Sequence, residues 1–136
     1  MIGIALIAIL VLIALPRYTD YRNRVLSKQA ADQIAAMAVL ARTYYNDARA
    51  YPNSLADIGM STMNDPWGRP YVYYNIDANG KGHARKDHAL NPLNTDFDLY
   101  SLGPDGKTKS QITQKDSLDD VIRASDGAFI GIASNF

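Results

Sequence analysis

Asp105, Asp119 and Asp120 put three carboxylates on a polar stretch after a strand-like run. Carboxylate oxygens are hard ligands, and calcium gathers about six to eight such oxygens at about 2.3 to 2.6 Å, some of them backbone carbonyls. Such a stretch is ordinarily an exposed acidic turn that holds no ion; the Ser101-Leu102-Gly103-Pro104-Asp105-Gly106 run before it favours the calcium reading. His83 and His88 are the only side chains whose ordinary pKa lies near neutrality. They sit in a loop with Lys81, Arg85, Lys86 and Asp87, at a spacing that matches no i, i+4 metal pair and with no third ligand in view, so a solvated loop is expected. All 14 acids are aspartates, which removes glutamate as a catalytic base. Zero cysteines exclude disulfides, haem attachment and thiolate metal sites. No serine, histidine and acid fall in a recognisable nucleophile context, and the chain is not expected to be an enzyme. The sole tryptophan, Trp67, and the nine tyrosines are expected to pack as structure. Lysine plus arginine equals aspartate, 14 against 14, so no net field recruits nucleic acid.

At 136 residues the chain has room for one modest core. Met1 to Leu15 carry no charged or polar side chain, and all charge follows Pro16. Such a run belongs in a bilayer, in a helical bundle, or in both. Fifteen residues at about 1.5 Å each span about 22 Å, short of a hydrocarbon core of about 30 Å. The run lacks the basic start and small-residue cleavage site of a secretory signal. It is therefore expected to be part of a longer apolar segment that begins upstream. Beyond it, Tyr18, Tyr21, Val25, Ile34, Met37, Ala38, Ala41, Tyr44, Tyr45 and Ala48 recur mostly at three- or four-residue spacing, the pattern of an amphipathic helix. Pro16 removes one backbone donor and is expected to loosen the helix without ending it. The reading is one helix over residues 1–50, apolar over 1–15 and one-sided over 17–49, then a head over 51–136.

Within the head, Ser54 to Ile58 reads as a short helix capped by Asn53 or Ser54, and Asp65-Pro66-Trp67-Gly68-Arg69-Pro70 as a turn. Tyr71 to Ile76 and the run around Phe97 and Leu99 read as strands, with a third at Ala128 to Ala133. Residues 77–95 are expected to form a long exposed loop, and residues 107–117 a mobile one. The fold class is α+β: a long amino-terminal helix packed on a small antiparallel sheet whose one face the helix stripe covers.

Three segments carry a family resemblance: Ile13-Ala14-Leu15-Pro16-Arg17-Tyr18, Asp65 to Tyr71, and Asp98-Leu99-Tyr100-Ser101-Leu102-Gly103-Pro104-Asp105-Gly106 followed by Asp119-Asp120. Together they resemble the major pseudopilins of bacterial type II secretion systems, within the type IV pilin superfamily, over almost the whole chain. Aligning Pro16 with the family's proline places about six residues ahead of Met1 and lengthens the apolar segment to about 21, close to a membrane span. The resemblance implies a processed and methylated terminus in that upstream piece. It also implies a helical filament built from the apolar helices, with part of the helix between Ala8 and Tyr18 extended in the assembly. Arg17, Arg22 and Arg24 would by the positive-inside tendency hold the head in the cytoplasm. The resemblance instead implies an inner-membrane anchor with a periplasmic head, working with other pseudopilins and inner-membrane secretion components.

The resemblance further implies one calcium ion in the carboxy-terminal loop. Carried over by position, its ligands are the Leu102 carbonyl, the Asp105 side chain, the Ser117 carbonyl or hydroxyl, and the Asp119 and Asp120 carboxylates. The chain departs from the family in loop length, with residues 106–118 separating Asp105 from Asp119. The implied function is a filament that drives protein export across the outer membrane. A type IV pilin-like filament for adhesion or motility is the alternative, although such pilins commonly close this loop with a disulfide. A membrane-tethered hydrolase and a calcium-dependent binding module are the readings from other classes.

Overall fold

The computed structural model describes residues 2–136. Alanine-rich sequence with three- and four-residue apolar spacing makes one helix, α1, over Ile2–Ala48. At about 1.5 Å per residue it is about 70 Å long. It runs through Pro16 without interruption, although proline has no N–H to offer the Leu12 carbonyl. It ends where Arg49 takes the left-handed region at φ 57°.

The two halves of α1 differ completely in burial. Every residue from Gly3 to Arg22 is exposed. Ser27, Ala30, Ile34, Met37, Ala38 and Ala41 form the buried stripe of the second half. The expected stripe thus starts later than the periodicity indicates: Tyr18, Tyr21 and Val25 all face outward, because the sheet does not reach that far along the helix. By length and composition α1 is apolar enough near its start to cross a membrane.

After α1 comes a 3₁₀ turn at Leu55–Ile58, where the Asp57 carboxylate accepts from the Asn53 and Ser54 N–H groups at 2.9 and 3.1 Å. Four strands follow: β1 (Val72–Asn75), β2 (Phe97–Ser101), β3 (Val121–Ala124) and β4 (Phe129–Ile132), with a one-turn helix α2 (Ile76–Asn79) after β1. They pair antiparallel in the order β1-β2-β3-β4. The register sets Tyr73 opposite Leu99, Tyr100 opposite Ile122, and Ala124 opposite Phe129.

Alternation then assigns the faces. Phe97, Leu99 and Val121 join Ala30, Ile34, Met37, Ala38 and Ala41 in the core beneath α1, with Tyr71 at its edge. Arg123 lies on this face too, bonded through both Nη atoms to Asp96 at 2.7 Å and stacked 4.0 Å above the Phe97 ring. The opposite face is also covered, contrary to the expectation of a one-sided sheet. Ile122 and Ala124 pack there with Leu93, Ile112 and Ala133.

What covers that face are the two segments expected to be exposed or mobile. Ala84, Arg85, Leu93 and Asn94 of the first loop are buried. Backbone bonds bind the second loop to the first: Lys86 N–H to the Ser110 carbonyl at 2.8 Å, and Ile112 N–H to the Lys86 carbonyl at 3.0 Å. Ser117 Oγ accepts from Lys109 N–H at 2.7 Å and donates to the Lys109 carbonyl at 3.1 Å. Polar sequence in both segments hides this role, since hydrogen bonds rather than apolar runs hold them down.

Candidate functional site

Two of the three resemblance segments meet in space. Asp65, buried at the turn, accepts from Trp67 and Arg69 N–H groups through Oδ1 and from Ser101 Oγ through Oδ2 at 2.6 Å. Arg69 Nη1 donates to the Gly103 carbonyl at 2.7 Å, and its guanidinium lies against Gly106, where an added Cβ would come within 2.6 Å. The Asp65 turn is thereby clamped to the Ser101–Gly106 turn. Trp67 is half-buried against the α1-side core, with its indole N–H buried and unpartnered.

Gly103 shows how tightly the candidate calcium loop closes. Its φ is 67°, and a Cβ there would stand 2.3 Å from the Asp119 carbonyl oxygen. Only glycine permits that approach. The Asp105 N–H donates to Asp119 Oδ2 at 3.1 Å, while Asp105 Oδ1 accepts from Lys107 N–H at 2.9 Å. Leu102 is half-buried just before this turn. Burial, with a smaller contribution from the neighbouring Asp105 charge, holds the Asp119 carboxyl above the usual carboxylate range.

Asp120 is engaged elsewhere. Fully buried, its Oδ2 accepts from Arg85 Nη2 at 2.7 Å and from the Thr108 hydroxyl. Arg85 Nη1 also donates to Thr108 Oγ1, closing a three-residue ring of hydrogen bonds. Burial pushes the Asp120 carboxyl up to about 6, against the pull of the Thr108 and Arg85 donors. Ser117, also buried, has its carbonyl accepting from Asp120 N–H at 3.2 Å and its hydroxyl on Lys109.

The structure thus brings Asp105 to Asp119 and Ser117 to Asp120. Among the described residues no three histidine or aspartate side chains gather as a metal cluster. The donor set fits a hard cation in part. Asp119 Oδ1 and Asp120 Oδ1 are buried carboxylate oxygens with no donor, which a cation would satisfy. Ser117 Oγ and Asp120 Oδ2 already have partners. Of the histidines, His83 stands edge-on to Tyr74 at 6.2 Å, and His88 is exposed.

Sequence reading missed the polar residues that organise this face. Asp98 in β2 accepts from Arg85 N–H at 2.6 Å and from Asn94 Nδ2 at 2.9 Å. Burial raises its carboxyl above the ordinary value. The usable signal was an aspartate in mid-strand between Phe97 and Leu99, on the face presumed to meet water. Comparison with known proteins finds no matching family model, no matching curated protein and no matching solved structure.

Proposed function

We propose that this chain is a structural subunit of a helical filament of the type II secretion pseudopilus kind, and that it performs no chemistry of its own. One observation carries the reading: the first half of α1 makes no buried contact, although it displays nine large aliphatic side chains between Ile4 and Leu15, each 48 % to 72 % exposed and facing all directions. Burying each is worth about 1.5 to 3 kcal/mol, so water is not its resting environment. An all-round apolar rod suits a bilayer first and a bundle of identical helices afterwards. Where such contacts repeat head-to-tail without closing, they generate a filament.

In this reading the helix anchors the chain in the bacterial inner membrane and the head lies in the periplasm. Polymerisation then drives protein export across the outer membrane, in company with other pseudopilins and inner-membrane secretion components. Calcium belongs to the same proposal. Asp105, Asp119 and Asp120, with the Leu102 carbonyl and Ser117, would hold it, and it would supply positive charge to the two unpartnered carboxylate oxygens. Those oxygens support the ion, while Asp120 Oδ2 is already paired to Arg85.

Detergent removal from the purified full chain, followed by negative-stain microscopy, tests the reading. Filaments are expected, and deletion of residues 1–15 is expected to leave monomers with the head's circular dichroism intact. Isolated particles from the full chain, or filaments from the truncated one, would defeat it.

A further inference from the structure

The face of the sheet opposite α1 carries a second feature, joined to the acidic turn only through the Arg85–Asp120 pair. A cleft of about 290 Å³ opens between the two covering loops, lined by His83, Arg85, Tyr100, Thr108, Lys109 and Ser110. Ligand pockets run from about 300 to 1,000 Å³, so this one is sized for a small molecule. Its walls hold an arginine, a lysine, a histidine and three hydroxyl-bearing side chains, with neither a carboxylate nor an aliphatic residue among them.

Arg85 is the built part of the site. It is 3 % exposed, and its guanidinium is fixed on three sides: stacked 4.2 Å over the Tyr100 ring, paired to Asp120 through Nη2, and bonded to Thr108 through Nη1. Its Nε–H is buried with no acceptor. An unpaired buried donor on a cation costs free energy, and an anion that drew the guanidinium toward the cleft would remove that cost. The nearby acids do not occupy the wall. Asp120 is committed to Arg85 Nη2 and Thr108, and Asp98 to the Arg85 backbone N–H and Asn94. Lys109, Ser110 and His83 at the rim are exposed and free to turn toward a ligand.

We propose that this cleft binds a small oxyanion of the phosphate class, with Arg85 as its floor and Lys109, Ser110 and His83 closing over it. Planar guanidinium and ammonium donors together suit a tetrahedral oxyanion with several acceptor oxygens. The lining is more polar than apolar, which disfavours an apolar ligand, and a metal cation meets like charge. The proposal does not depend on filament assembly. It is compatible with it, because α1 packs on the other face and leaves the cleft open.

The test uses the full-length ¹⁵N-labelled chain in neutral detergent micelles, titrated with inorganic phosphate and with glycerol 3-phosphate. Sodium chloride at matched ionic strength is the reference. Saturable shifts are expected at the Thr108, Lys109 and Ser110 amides and at Arg85 Nε–H, with either phosphate. Tighter saturation by glycerol 3-phosphate assigns a phosphomonoester, and tighter saturation by inorganic phosphate assigns the free ion. Lys109→Ala, an exposed position that leaves the fold alone, should raise Kd about fivefold, while Lys28→Ala on α1 should not change it. Shifts that follow ionic strength equally in chloride, or equal effects of the two lysine variants, would overturn the proposal.

Discussion

The two faces of the sheet are both covered, but by opposite means. Beneath α1 the cover is apolar area: Phe97, Leu99 and Val121 against a helix stripe, with one bidentate ion pair, Arg123 and Asp96, sealed among them. Under the loops the cover is a small apolar cluster inside a polar lattice of Arg85, Asp120, Thr108, Asp98 and Asn94. A face closed by area tolerates changes of hydrophobic residue provided volume is kept. A face closed by directional bonds depends on each partner, since one deletion leaves another group buried and unpaired.

The comparison breaks most directly at Phe97. Phe97→Ala should cost about 3 to 5 kcal/mol in chemical denaturation, since it empties the centre of the α1-side core. Leu93→Ala on the loop side should cost less, and an equal loss would mean that the two faces do not differ as described. Next in size is the buried pair on the loop side. Arg85→Met in chelator should destabilise by about 3 kcal/mol by stranding Asp120. Adding Asp120→Leu should recover most of that loss, because both charges are then gone. A double variant no better than the single would show that the pair is not the unit of cohesion.

Calcium sharpens the same contrast. At a hundredfold excess over its dissociation constant an ion bound only by the folded head adds about 2.7 kcal/mol. Thermal midpoints should therefore rise in calcium over chelator, and Asp119→Ala should abolish the difference. Equal midpoints would leave an ordinary acidic turn. The smallest effect concerns pH. Burial raises the Asp98 carboxyl in the folded state above its unfolded value. Just above the ordinary carboxylate pKa of about 4, the unfolded chain has released this proton while the folded chain keeps it. More protons on the folded state mean that stability falls as pH rises through that window. The stability difference between wild type and Asp98→Asn should shift accordingly between pH 4 and 7, in favour of the variant as pH rises. A difference constant with pH would show that Asp98 does not titrate as its burial indicates.

The same asymmetry decides what the sequence reveals. Ile34, Met37, Ala38 and Ala41 announce their face by helical spacing, and β1, β2 and β4 announce themselves by aromatic and branched residues. The strand β3 does not, because all four of its residues are buried and an arginine sits among them. Polar and apolar residues alternate along a strand only when one face meets water, and here neither does. Asp105 and Asp119 were grouped through the family resemblance, and the structure joins them by the Asp105 N–H bond to Asp119 Oδ2. The partnership of Arg85 with Asp120, 35 positions apart, has no local sign at all. The length of the exposed rod was also underestimated, since Tyr18, Tyr21 and Val25 keep the helical spacing without anything to pack against.

The register of the head has a consequence in time. α1 is assembled from local contacts, but the surfaces it packs on are far along the chain: Arg42 Nη2 reaches the Asp126 carbonyl across 84 positions, and β4, against which α1 lies, is the last strand of the sheet. Closing such separations is the slow part of folding. During synthesis α1 precedes β3 and β4, so its buried stripe has no complete sheet to pack on until those strands are made. Formation of the helix and closure of the head are therefore separate events, the first set by local contacts and the second by distant ones.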